Sequence, residues 1–160
     1  MISKNLASKL NEQMNMEFAS AYAYLAMSND AKTKELGGTS HWMFSQYKEE
    51  LDHAFKINKY LLEQGETPEF EAVSKPKATF TDLEEMLVAT MSHEVAVTKA
   101  INNLMSIAHE EKDYASIAFL NWFVLEQVEE EDVVRGLIER FRMYPKAHLL
   151  LFDTHLGQRV

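Results

Sequence analysis

Glutamate, histidine and glutamine recur along this chain at spacings suited to holding divalent cations. Glu50 and His53 form a Glu-x-x-His pair one helical turn apart, so both side chains would leave the same face of a helix. Glu17 precedes Glu50 by 33 residues, and Glu94 precedes Gln127 by the same 33. Adding 77 to 17, 50 and 53 gives 94, 127 and 130. A Gln-x-x-Glu pair, Gln127 and Glu130, therefore stands in the second half where Glu-x-x-His stands in the first. Apolar positions keep the offset: Met14 maps onto Met91, and Met43, Tyr47, Ile57 and Leu61 map onto Leu120, Val124, Val134 and Ile138. Such agreement implies an internal two-fold repeat.

Each polar residue interrupts an apolar stripe of helical period. The stripes read Leu10, Met14, Glu17, Ala21, Tyr24; Met43, Tyr47, Glu50, Ala54, Ile57; Leu87, Met91, Glu94, Val97, Ile101; and Leu120, Val124, Gln127, Val134, Ile138. Burying an ionised carboxylate costs several kcal/mol, and no Lys or Arg shares these stripes. Two bound divalent cations would neutralise the layer, as in bundles where two helices give a Glu each and two give Glu-x-x-His. The plainer alternatives are solvated residues or a hydrogen-bonded network in the core. Between Glu126 and Asp132 lie five acids in seven positions and no base. A solvated face suits Glu131 and Asp132, while Glu126, Glu129 and Glu130, with Glu49 and Asp52 on the facing segment, suit a cation path. Trp42 and Trp122 read as packing. His41, His93, His109, His148 and His155 lack partners at ligand spacing and stay outside the expected site.

The elements that would position this layer follow from the breakers. Gly37-Gly38, Gly65 to Pro76, His109 to Asp113, and Tyr144-Pro145 divide the chain into four long helices and a short one. Expected bounds are Ser3 to Lys34, Thr39 or Ser40 to Gln64, an opening at the Thr81-Asp82-Leu83-Glu84 capping box to about His109, a start at Asp113, and a last helix from Lys146 to Leu156. Gly65 suits the residue just after a helix, and Pro145 a first turn. Short first and third connections predict antiparallel hairpins, and the fifteen or so residues from Glu66 to Phe80 predict one long crossover. The expected fold is an all-α four-helix bundle with a short fifth C-terminal helix, a single domain over residues 1–160. The 160 residues carry 16 basic and 25 acidic side chains, a net charge of −9, which disfavours nucleic acid and anionic membranes as partners. With no Cys, thiolate metal sites and iron–sulfur clusters are excluded. No signal-peptide core or membrane-length apolar run is evident, so a cytoplasmic location is expected.

The segments LNEQMNMEFASAYAYLAM, EELDHAFKINKYL, EVAVTKAINNL and FLNWFVLEQVEEE resemble those of ferritins of the bacterial non-haem type, over essentially the whole chain. The resemblance implies a ferroxidase centre, oxidation of Fe(II) by O2 or peroxide, and a hollow 24-subunit shell that stores ferric mineral. It places Glu17, Glu50 and His53 at a first iron, Glu94 and Gln127 at a second, and Glu50 between them. Glu130 stands beside them, Glu49, Glu126, Glu129 and Glu130 mark a third iron site, and Tyr24 is the tyrosine next to the centre. Haem-containing relatives carry Glu-x-x-His in both halves and a Met where this chain has Asp52, so no haem is expected. Animal ferritins line three-fold channels with acids early in the fourth helix. Here that segment reads Ala115 to Leu120 without one, so iron is expected to enter elsewhere. A di-iron peroxide reductase of the rubrerythrin type is the alternative, weakened by the lack of Cys. A purely structural bundle and a DNA-protecting miniferritin stand further off.

Overall fold

The computed structural model describes residues 2–158. Four long helices, α1 (Lys4–Thr33), α2 (Gly37–Glu63), α3 (Leu83–Glu110) and α4 (Tyr114–Met143), form a bundle; a 3-10 turn (Lys146–His148) leads into α5 (Leu149–Gly157). The pairs α1/α2 and α3/α4 are antiparallel hairpins. No strand occurs among the described residues, and no helix is long and apolar enough to cross a membrane.

The 77-residue repeat extends to the turns. Both hairpins reverse through a non-glycine residue in the left-handed region, Glu35 at φ 59° and Lys112 at φ 56°, which are 77 apart. Gly37 and Gly38 were expected to break the helix, yet they open α2 instead, two residues ahead of the expected start. Gly38 is small for a tertiary reason: a Cβ there would lie 1.8 Å from the Asp153 carbonyl oxygen, because α5 docks against it. The equivalent residue in the second hairpin is Ala115.

Helix ends follow local chemistry elsewhere. Asp113 caps α4 by accepting from Ser116 N at 3.1 Å, as expected. Gly65 takes φ 79° just past α2, a conformation that a Cβ disfavours. The cap of α3 is Asp82 and not Thr81: Asp82 Oδ1 accepts from Glu85 N at 2.9 Å while Glu85 Oε2 reaches back to Thr81 N at 2.5 Å. The capping box is thus one residue later than expected, as suits Asp, a better N-cap than Thr.

The crossover runs alongside α1 from the start of that helix to its end. Asn11 Oδ1 accepts from Glu69 N and Asn15 Oδ1 from Glu71 N, and Asp30 Oδ2 receives Phe80 N at 3.0 Å. These bonds satisfy backbone that belongs to no helix. They deliver α3 to the end of the bundle opposite to where α2 stopped.

Candidate metal centre

Midway along the bundle the apolar packing divides into two clusters. One holds Leu10, Met14, Ile57, Ile101 and Leu120; the other holds Met27, Met43, Leu87, Val134 and Leu137. Between them α1 contributes Glu17, α2 Glu50 and His53, α3 Glu94, and α4 Gln127 and Glu130, all buried. Every helix of the bundle thus sends a polar group to one level, at the stripe interruptions visible in the sequence.

Distances within the layer suit shared cations. Glu17, Glu50 and His53 each bring a ligand atom within 4.8 Å of the others, and Glu50, His93 and Glu94 do the same, so Glu50 belongs to both groups. His53 Nδ1 lies 3.6 Å from Glu50 Oε2, too long for a hydrogen bond. Gln13 Nε2 donates to Glu17 Oε1 at 2.7 Å, and the Tyr24 hydroxyl donates to Glu94 Oε1. Gln127 Nε2 lies 3.2 Å from Glu94 Oε2 and 3.3 Å from the Glu94 backbone oxygen. Two carboxylate oxygens, Glu17 Oε2 and Glu50 Oε2, are buried with no partner.

Electrostatics make this layer costly to keep ionised. Burial raises Glu17 well above the usual carboxyl range, and the charge of Glu50 adds to it. Burial likewise raises Glu50, with Glu94, Glu130 and Glu49 contributing. Glu130 is pushed up to about 8, first by burial and then by the charges of Glu94, Glu49, Glu126 and Glu129. Tyr24 is raised well above its ordinary value by burial and by Glu94. No Lys or Arg among the described residues pairs with Glu17, Glu50, Glu94 or Glu130. Carboxylate oxygens, the imidazole nitrogens of His53 and His93, and an amide form a donor set for hard to borderline divalent cations.

The remaining acids of the expected site are arranged more loosely. Glu126 Oε1 lies 3.9 Å from His53 Nε2. Glu49 is held by Gln46 Nε2 at 2.6 Å, is raised by burial, and feels the charges of Glu126 and Glu129. Glu129 is exposed. Among the described residues, Glu49, Glu126 and Glu129 do not converge into a group of ligand atoms within 4.8 Å.

Two residues left outside the expected site stand against it. His93 is half-buried, its ring edge-on to Tyr24 with centroids 6.0 Å apart. Its Nε2 lies 2.6 Å from Ser20 Oγ; the Ser20 hydroxyl gives its hydrogen to the Met16 carbonyl, so the imidazole is the donor. Burial holds the His93 pKa below its ordinary value. The one clue in the sequence is adjacency to Glu94, which on a helix points to a different face; the position of α1 over α3 brings the ring in. Glu131 was read as a solvated residue, but it is half-buried and accepts from Thr98 Oγ1 at 2.6 Å. Trp42 packs as expected, while Trp122 meets His53 edge-on at 5.4 Å and carries the Lys56 ammonium over its ring.

Known proteins share the sequence and the fold of this chain. A family model described as a ferritin-like domain matches residues 7–144. The bacterial non-heme ferritin of Staphylococcus aureus (strain USA300) is 44% identical over 161 residues, covering 99% of this chain and 97% of that protein. The bacterial non-heme ferritin of Staphylococcus epidermidis is 41% identical over 139 residues, covering 87% and 84%. Among solved structures, the open pore ferritin of Archaeoglobus fulgidus superposes with a TM-score of 0.97 at 38% identity over all of both chains. With the bundle, the crossover, the fifth helix and the polar layer all in place, this chain belongs to the ferritin family and resembles its bacterial non-haem members.

Proposed function

We propose that this protein stores iron, taking Fe(II) as substrate, oxidising it within each subunit and depositing the ferric product inside a hollow shell of about 24 copies. The observation that carries this reading is the buried polar layer, with four carboxylates, no basic partner and two orphaned oxygens. A layer built for stability would be better replaced by apolar groups. Glu17, Glu50 and His53 would hold one Fe(II); Glu94 and Gln127 would hold the other, Glu50 would touch both, and Glu130 would complete the charge. Four carboxylates balance the four charges of two Fe(II).

Protons leave as iron enters. Burial favours the protonated form of the Glu17, Glu50 and Glu130 carboxyls in the metal-free protein, and a cation at their oxygens favours release of those protons. Each Fe(II) then gives up one electron. Dioxygen with two protons takes up the pair as hydrogen peroxide; where peroxide is the acceptor, it takes the electrons with two protons as two waters. The Tyr24 hydroxyl, hydrogen-bonded to Glu94, supports a further role as a nearby electron donor. Glu49, Glu126 and Glu129, each next in sequence to a residue of the layer, suit a third iron in transit.

Support for assembly lies on the surface. Phe70 is 70% exposed, and Tyr22, Phe55 and Leu62 are each more than half exposed, on α1, α2 and the crossover. Apolar exposure of this kind marks surfaces that meet other chains. A cytoplasmic location belongs to the same proposal.

The test is aerobic oxidation of two Fe(II) per chain, followed by ferric absorbance, with particle size measured on the same sample. Glu50→Ala and His53→Ala should slow it sharply while retaining helical circular dichroism. Wild-type rates in both would overturn the assignment, and a small particle that oxidises iron without accumulating mineral would favour the peroxide-reductase alternative. Glu49→Ala with Glu126→Ala should leave the first two equivalents near normal and alter turnover of later additions.

A further inference from the structure

The repeat relating the two hairpins breaks at three linked places. Glu50 becomes Gln127, while Ala21 and Ala54, both fully buried, become Thr98 and Glu131. In the second half these three residues touch. The Thr98 hydroxyl donates to Glu131 Oε1 at 2.6 Å, and Gln127 Nε2 lies 3.3 Å from Thr98 Oγ1. A hydroxyl has one hydrogen; with it given to Glu131, Thr98 Oγ1 faces Gln127 as an acceptor alone.

The amide of Gln127 has two N–H hydrogens and two fixed acceptors, Thr98 Oγ1 and the Glu94 backbone oxygen, each at 3.3 Å. Both stay satisfied when the Glu94 carboxylate, at 3.2 Å, turns to a cation. Turning the amide over would set its oxygen against those two acceptors and leave its nitrogen, which has no free lone pair, toward the metal. We propose that Thr98 and Glu131 are positioning residues that lock the Gln127 amide so that its oxygen is presented to the cation shared with Glu94. The first hairpin needs no such device because the two oxygens of Glu50 are chemically alike, and its equivalent positions are alanines. This inference rests on the two-cation reading above.

The probe is Co(II), titrated into the metal-free full-length protein and followed by calorimetry and visible absorption. Wild type should take two equivalents per chain; fewer would defeat the two-cation reading itself and the inference with it. Given two, Thr98→Val should weaken the second equivalent about ten-fold or more and leave the first unchanged, since loss of a partner outside the ligand shell typically costs 10–100-fold in affinity. Thr98→Ser should restore it. In a Gln127→Glu background, where both terminal atoms are oxygens, Thr98→Val should cost nothing further. Wild-type binding of both equivalents by Thr98→Val, or the same loss in both backgrounds, overturns the proposal while leaving the two-cation reading intact. Should Thr98→Val fail to fold, Glu131→Ala frees the Thr98 hydroxyl to turn toward Gln127, and its second equivalent must then weaken; wild-type affinity there is equally decisive against it.

Discussion

The two hairpins share a spacing and a turn conformation but differ in how each is finished. In the first, α2 begins after Leu36, which has no side-chain acceptor to cap the free amides; Asp153 of α5 supplies one, accepting from Gly38 N at 2.8 Å and from Thr39 N and Oγ1 at 2.7 Å each. In the second, the residue 77 later is Asp113, which caps α4 itself. The polar layer differs similarly. Glu94 receives the Tyr24 hydroxyl from across the bundle, while the repeat mate of Tyr24 is the buried Ile101, so Glu17 has no such donor and relies on Gln13. A repeated scaffold fixes where groups stand; the departures from the repeat fix what each one does.

Disrupting the shared carboxylate should separate the halves most strongly. Glu50 belongs to both groups of ligand atoms, so Glu50→Ala should slow oxidation of the first two Fe(II) per chain by about 100-fold or more, and Gln127→Ala, which removes a neighbour of Glu94 in one group, by about ten-fold. Stopped-flow absorbance on both variants ranks them; equal losses would mean the halves act as one undivided site.

The protonated layer gives the next effect, on stability of the metal-free protein. The Glu130 carboxyl, at about 8 when folded, holds a proton that the unfolded chain has lost above its ordinary value near 4.5. The folded state binds more protons across that window, so stability falls as pH rises from about 5 to about 8. The whole loss for such a shift is about 3–5 kcal/mol. Thermal melts of metal-free protein should show the decline, Glu130→Gln should lessen it while leaving the share of Glu17 and Glu50, and Zn(II)-loaded protein should lack it. A flat wild-type profile would contradict the burial argument.

The two helix starts predict a smaller asymmetry. Asp153→Ala removes three hydrogen bonds and loosens α5, costing about 2 kcal/mol or more, whereas Asp113→Ala removes a local cap worth about 1 kcal/mol. Urea melts distinguish them, and oxidation of the first two irons should be unaffected by either.

Tyr24→Phe should have the smallest effect on binding. It leaves Glu94 Oε1 without its donor, so two-equivalent Co(II) binding should persist while the iron oxidation time course changes a few-fold; an unaltered time course reduces Tyr24 to packing.

The stripe interruptions at Glu17, Glu50, Glu94 and Gln127 were legible because a polar group on an apolar helical face needs a reason, and four at one offset share one. The hairpins and crossover were legible because connection length limits where a helix can restart. His93 and Glu131 were not, since adjacency along a helix says nothing about which neighbour a third helix brings in. The cap stands at Asp82 and not at Thr81 because two neighbouring residues were both able to cap, and spacing alone does not decide between them.

By itself, then, the sequence determined the period, the number of helices and the level at which charge is buried, because local patterning and the cost of burying a carboxylate act on the chain wherever it folds. Only the tertiary structure decided that Asp153 caps a helix more than a hundred residues away, that Gly38 must lack a side chain, and that Thr98 sits between Glu131 and Gln127. Those contacts join residues with no fixed sequence spacing, and they come into being when the packed helices set the distances between them.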